Sequence, residues 1–167
     1  MNDDPLNVYQ YTFKSIDGAT MPLERWRGQP LLVVNTASEC GYTPQYEKLQ
    51  RLYHEYHKGG LVVIGIPSND FGGQEPGEEA TIRDFCSTRY GVTFPLTAKQ
   101  TFSGPGAHPM FVDMVEEFTT DVLPRWNFFK YLFSRDGNLV EFWPSDVAPD
   151  NLEFRQTVEE NLASWRL

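Results

Sequence analysis

The chain has 167 residues, 40% of them hydrophobic and 14% aromatic, with a formal net charge of -9. That is the size of one globular domain able to bury a core, so a single domain over residues 1–167 is expected. The acidity, unrelieved by any Lys/Arg cluster, argues against nucleic acid or an anionic membrane as partner. Residues 1–5 lack the basic and apolar regions of a secretory signal, and no apolar run is long enough to span a bilayer, which predicts a soluble cytoplasmic protein.

Tyr9, Tyr11 and Phe13 alternate with polar residues ahead of an Asp17-Gly18 turn, the pattern of an opening β-hairpin. Leu31 to Val34 runs without a polar residue, as in a strand covered on both faces. A short polar loop carrying Cys40 follows. Thr43 is placed to cap a helix whose first residue is Pro44, and Tyr46, Leu49, Tyr53 and Tyr56 recur at helical spacing until Gly59-Gly60. Leu61 to Ile66 reads as a second buried strand, parallel to the first through a right-handed crossover. After a loop over residues 68–77, a helix is predicted from Glu78 to about Arg89, burying Ile82, Phe85 and Cys86. Phe94-Pro95-Leu96-Thr97 reads as a short strand with Pro at an edge. A helix from about His108 to Phe118 would bury Met110, Phe111, Met114, Val115 and Phe118. Residues 127–133 read as a strand, hairpin-paired through Asp136-Gly137 with Leu139 to Phe142. A last helix after Pro149 would bury Phe154, Val158, Leu162 and Trp165. The order predicts an α/β fold with a central mixed sheet flanked by helices and an N-terminal β-hairpin.

Cys40 and Cys86 are the only cysteines, too few for a disulfide scaffold or a tetrahedral zinc site. His54 and His57 lie three apart on a helix, but nothing nearby completes a metal site, and no cofactor is predicted. Cys40 follows the carboxyl end of the first buried strand, where a helix start favours the thiolate. Gln74 follows the carboxyl end of the second. If the strand near residue 128 runs antiparallel, Trp126 and Asn127 come to the same edge. The amides and the indole are neutral donors, suited to a thiolate or to an oxygen gaining charge, and none is a strong base. Attack of a thiolate on a peroxide O–O bond fits that set, with a Cys40 sulfenic acid as product.

These motifs, Asn35 to Tyr46, Phe71-Gly72-Gly73-Gln74-Glu75-Pro76-Gly77, Tyr90 to Pro95, and Trp126-Asn127-Phe128 with Asp136-Gly137, resemble those of the glutathione peroxidase family in its cysteine-containing form. The likeness runs from about Tyr9 to Leu162. It implies a thioredoxin-like fold, a catalytic tetrad of Cys40, Gln74, Trp126 and Asn127, and hydrogen peroxide and organic hydroperoxides as substrates. Family members reduced by thioredoxin carry a resolving cysteine in the helix of Cys86, so the resemblance implies that Cys86 resolves and that thioredoxin, rather than glutathione, is the reductant.

Two departures stand out. Glu39 occupies a position often basic in relatives, and a carboxylate there would oppose the thiolate unless it points into solvent. Residues 119–125 lack the insertion of tetrameric relatives, which implies a monomer. Cys86 is equally a natural core position on its helix. A Cys40–Cys86 bond needs Cα atoms within about 7 Å, while Cys86 lies ~12 Å into its predicted helix, so resolution would unwind part of it. Two rivals remain: a disulfide oxidoreductase, against which the chain has Thr43 and not a partner cysteine three residues after Cys40, and a redox relay or binding module of the same fold without efficient turnover.

Overall fold

The computed structural model describes residues 5–162. Val8–Gln10 forms one 3-10 turn, with the Asn7 side chain accepting from the Tyr9 N–H, so the opening strand begins later than the aromatic alternation predicts. That strand, β1 (Thr12–Lys14), pairs antiparallel with β2 (Thr20–Pro22) across the Asp17-Gly18 turn. The chain continues through β3 (Leu31–Thr36), α1 (Gln45–Tyr56), β4 (Val62–Pro67), α2 (Glu79–Tyr90), α3 (Pro109–Phe118), β5 (Lys130–Phe133), β6 (Leu139–Trp143) and α4 (Leu152–Glu160). No helix among the described residues is long and apolar enough to cross a membrane.

The main sheet has the order β4-β3-β5-β6, with β3 parallel to β4 and antiparallel to β5. Strand alternation builds two core layers. Leu31 and Val33 of β3, with Tyr131 and Phe133 of β5, face Met110, Phe111 and Met114 of α3 and the hairpin's Phe13 and Met21. Leu32, Val34, Val63 and Leu132 face α1, α2 and α4, including Tyr46, Leu49, Ile82, Cys86, Phe154 and Val158. This two-sided cover explains why β3 and β4 read as continuous apolar runs. Val115 is only partly buried and Phe118 is 37% exposed, so the buried stripe of α3 is narrower than its spacing predicts. Trp165 lies outside the described residues.

The predicted strand at Phe94–Thr97 is reduced to isolated bridges, Leu96 with Gly65 and Thr97 with Ser15. Pro95 has no N–H to continue a ladder. Its carbonyl accepts from the Gly65 N–H at 3.0 Å, and Thr97 N–H donates to the Gly65 carbonyl at 2.9 Å, which covers the outer edge of β4. A Cβ on Gly65 would sit 2.6 Å from Leu96 Cδ2, so only glycine allows this approach. The strand predicted over 127–133 starts only at Lys130, because Phe128 has a φ of +65° that no extended strand accommodates.

His108 caps α3. Its Nδ1 accepts from Met110 N–H at 3.1 Å, Nε2 donates to the Thr12 carbonyl at 2.9 Å, and the ring stacks on Phe13 with centroids 3.8 Å apart. One nitrogen accepting and the other donating requires the neutral ring. Burial, partly opposed by the Thr12 carbonyl, holds the His108 pKa below the usual 6.5. The unfolded chain therefore takes up a proton first as pH falls. The contribution of His108 is full above the unfolded value and is lost as pH drops through the folded one. Urea midpoints at about pH 7.5 and about pH 5.5 should fall further for the wild type than for His108→Asn, which keeps a capping oxygen but does not titrate. Equal falls would remove His108 as the source.

Candidate active site

Beyond β3 the chain enters a loop over residues 37–44 before α1. The Thr43 hydroxyl accepts from Cys40 N–H at 2.9 Å and donates to the Ala37 carbonyl at 2.9 Å. Thr43 thus braces the loop rather than capping α1, which begins at Gln45 without a side-chain cap. Cys40 is 7% exposed. Its Sγ accepts from Tyr42 N–H at 3.3 Å, a backbone donor aimed at the sulfur. Side-chain patterns carry no sign of such a donor, which is why Tyr42 is absent from the sequence-derived site. The Glu39 side chain is exposed, while its N–H donates to the Gln74 carbonyl at 3.0 Å.

That backbone bond seats the loop after β4 against the Cys40 loop. Asn69 Oδ1 accepts from Glu75 N–H at 2.9 Å, and Asp70 Oδ2 accepts from Phe102 N–H at 2.8 Å, fixing the loop at two points. Gly72, at a φ of +72°, lies so close to the Trp126 indole that a Cβ would sit 2.6 Å from Cη2. The half-buried indole belongs to the same apolar cluster as Cys40, Tyr46 and Phe128. Asn127 is buried, and its Nδ2 donates to Gln74 Oε1 at 3.0 Å and to the Phe71 carbonyl at 3.2 Å. The two amides therefore bond to each other rather than to the sulfur. Asn127 Oδ1 is buried with no partner among the described residues, leaving an acceptor free inside the site.

Asn35 holds the third segment in place. Its Nδ2 donates to the Trp126 carbonyl at 2.9 Å, its Oδ1 accepts from Phe129 N–H at 2.8 Å, and its own carbonyl accepts from Phe128 N–H at 2.7 Å. Three bonds from one residue of β3 offset the left-handed Phe128, a conformation that costs about 1–3 kcal/mol in a non-glycine residue. The sequence signal was there to read: a lone amide closing an apolar strand.

Cys86 is fully buried on α2, in the same apolar cluster as Cys40. Burial pushes its thiol up to about 11, against a downward pull from the Tyr46 hydroxyl and with a further push from Glu75. In this conformation it is a protonated thiol at neutral pH. The Glu75 carboxyl is itself raised by burial, with the Ser38 hydroxyl and N–H opposing. Of the twelve residues of α2, only Ile82 and Cys86 are buried, so little apolar contact holds the helix down.

Residues 8–115 match the glutathione peroxidase family model. Hydroperoxy fatty acid reductase gpx1 of Synechocystis sp. is 42% identical, over 87% of this chain and 90% of that protein. Thioredoxin/glutathione peroxidase BtuE of Escherichia coli is 34% identical, over 90% and 94%. Among solved structures, T. cruzi GPX1 superposes with a TM-score of 0.74 at 29% identity, covering 97% of this chain and 100% of that one. A thioredoxin-family thiol:disulfide interchange protein from Chlorobium tepidum gives a TM-score of 0.68 at 12% identity over 96% and 99%, a likeness of fold alone. The mixed sheet with its flanking helices is thus thioredoxin-like, and the chain belongs to the glutathione peroxidase family of peroxidases.

Proposed function

We propose that this single-domain peroxidase is a thiol peroxidase in which Cys40 is the nucleophile and Gln74, Trp126 and Asn127 assist it. The Cys40 thiolate attacks the terminal oxygen of a hydroperoxide; the S–O bond forms as the O–O bond breaks, and the departing oxygen takes a proton to leave as water or an alcohol. The observation that carries this reading is the company Cys40 keeps: a backbone N–H on Sγ and a Gln74–Asn127 amide pair seated against its loop. Neutral donors suit a leaving oxygen that gains charge. Half-buried Phe71 and Trp126, with Tyr42 37% exposed, are apolar enough to take organic hydroperoxides as well as hydrogen peroxide. The name of the Synechocystis relative is consistent with such a substrate.

Cys86 then attacks the Cys40 sulfenic acid. The S–S bond forms, the S–O bond breaks, and the thiol proton leaves with the hydroxyl as water. Thioredoxin reduces the resulting disulfide by exchange, its own dithiol becoming oxidised. The name of the E. coli relative carries both thioredoxin and glutathione and so supports a thiol reductant, and the presence of a second cysteine favours a dithiol protein as that reductant. The short segment at 119–125 supports a monomer, to be checked by sedimentation.

Peroxide-dependent NADPH consumption tests the scheme, coupled through thioredoxin and its reductase or through glutathione and its reductase. Turnover with thioredoxin is expected to exceed that with glutathione by at least about tenfold. Turnover with neither would leave a redox relay as the function. Cys86→Ser should consume about one equivalent of peroxide and then stall under thioredoxin. Because Cys86 is buried as a thiol, disulfide formation should open α2, and amide exchange across Glu79–Tyr90 is expected to rise in the oxidised protein. An unchanged helix in a protein with a demonstrated Cys40–Cys86 bond would rule the opening out.

A further inference from the structure

Lys130 is the first residue of β5 and fully buried, paired across the sheet with Val34 and, by strand alternation, on the same face as Leu132. An amine in such surroundings is costly, and an unbranched apolar side chain of similar length would pack there without that cost. Burial pulls its pKa down to about 7, and Asp146, on the exposed turn after β6, is the charged group that acts in the other direction.

The amine's contacts are specific. Nζ donates to the Phe128 carbonyl at 2.6 Å and to the Ser145 carbonyl at 3.4 Å. The Phe128 carbonyl belongs to the left-handed residue that directly follows Trp126 and Asn127. The Ser145 carbonyl also accepts from Gln45 Nε2 at 2.8 Å, and Gln45 is the first residue of the helix that follows the Cys40 loop. One buried junction thus ties the turn bearing Trp126 and Asn127 to the start of the helix that follows the Cys40 loop. Either protonation state of the amine has the two N–H groups this requires.

We propose that Lys130 is a positioning residue for peroxide cleavage: by clasping the Phe128 and Ser145 carbonyls it holds the left-handed turn that sets Trp126 and Asn127 against the Cys40 loop. The inference rests on the reading of Cys40 as the nucleophile. Lys130 touches no reacting atom. Its contribution is the alignment of groups that do, and a misplacement of about 1 Å in such groups can cost ~100-fold in rate.

The test separates the two half-reactions. Single-turnover oxidation of Cys40 by hydrogen peroxide, followed by mass spectrometry of the trapped sulfenic acid, is measured for the wild type, Lys130→Met and Lys130→Gln. Reduction of the pre-oxidised proteins by thioredoxin and urea midpoints are measured alongside. Lys130→Met is expected to slow Cys40 oxidation by about 30- to 100-fold, with an unchanged or higher urea midpoint and a reduction rate within about twofold of wild type. Lys130→Gln, which keeps a shorter N–H donor and guards against a poorly folded Met variant, should recover part of the oxidation rate. Oxidation within about threefold of wild type in both variants overturns the proposal. So does a parallel loss of oxidation rate, reduction rate and stability, which would make Lys130 merely structural. Absence of a sulfenic acid on wild-type Cys40 would instead remove the nucleophile assignment, and this inference with it.

Discussion

Replacing Cys40 by serine is expected to lower peroxide turnover by more than about 1000-fold under either reductant. A serine hydroxyl is scarcely ionised at neutral pH and forms no sulfenic acid, so neither half of the cycle can proceed. The fold should be indifferent to the change. The Thr43 hydroxyl binds the backbone N–H of residue 40 and the Ala37 carbonyl, not the sulfur, so the loop keeps its brace. Urea denaturation of Cys40→Ser should agree with wild type to within about 1 kcal/mol. Retained turnover in a variant free of contaminating wild type would place the nucleophile elsewhere, and Cys86 would be the residue to test next.

Asn35→Leu is expected to damage both stability and activity. Leucine has the branching and heavy-atom count of asparagine, though its methyl groups are bulkier. The Trp126 carbonyl and the buried Phe129 N–H, however, lose partners at 2.9 and 2.8 Å. Two backbone groups left without hydrogen bonds cost about 2–6 kcal/mol together. The left-handed Phe128 then loses part of what holds it, and the Trp126-Asn127 segment is free to shift from the Cys40 loop. Oxidation of Cys40 should slow by about 100-fold. A destabilisation under about 1 kcal/mol with an unaltered oxidation rate would show that the turn holds itself. Comparison with Lys130→Met is informative, because that change is expected to reduce rate without reducing stability.

Much of the scaffold is legible in the chain because it follows from periodicity and breakers. The uninterrupted runs at Leu31–Val34 and Leu61–Ile66 are two parallel strands buried on both faces, and the helical recurrence of Tyr46, Leu49 and Tyr56 is a helix with those residues inside. The errors fall where tertiary contacts override local pattern. Thr43 looks like a cap, yet its hydroxyl is claimed by Cys40 and Ala37. Asn127 and Phe128 look like the start of a strand, yet Asn35 holds them in a turn. Phe94–Thr97 looks like a strand, yet Pro95 limits it to single bridges beside Gly65.

The same division applies to the site. By itself the sequence determined which residue types are present and that Cys40 and Gln74 follow two parallel strands at one sheet edge; that Trp126 and Asn127 join them depended on β5 running antiparallel, which the structure supplied. Only the tertiary structure decided that Gln74 and Asn127 bond to each other, that the donor on Cys40 Sγ is the Tyr42 N–H, and that Cys86 is locked away as a thiol. It also decided that Asn35 and Lys130 both bond to backbone carbonyls of that turn. The physical reason is common to all of these. Backbone donors, desolvation and contacts between residues some ninety positions apart depend on distances in the folded chain, and no pattern of side chains along the sequence encodes them.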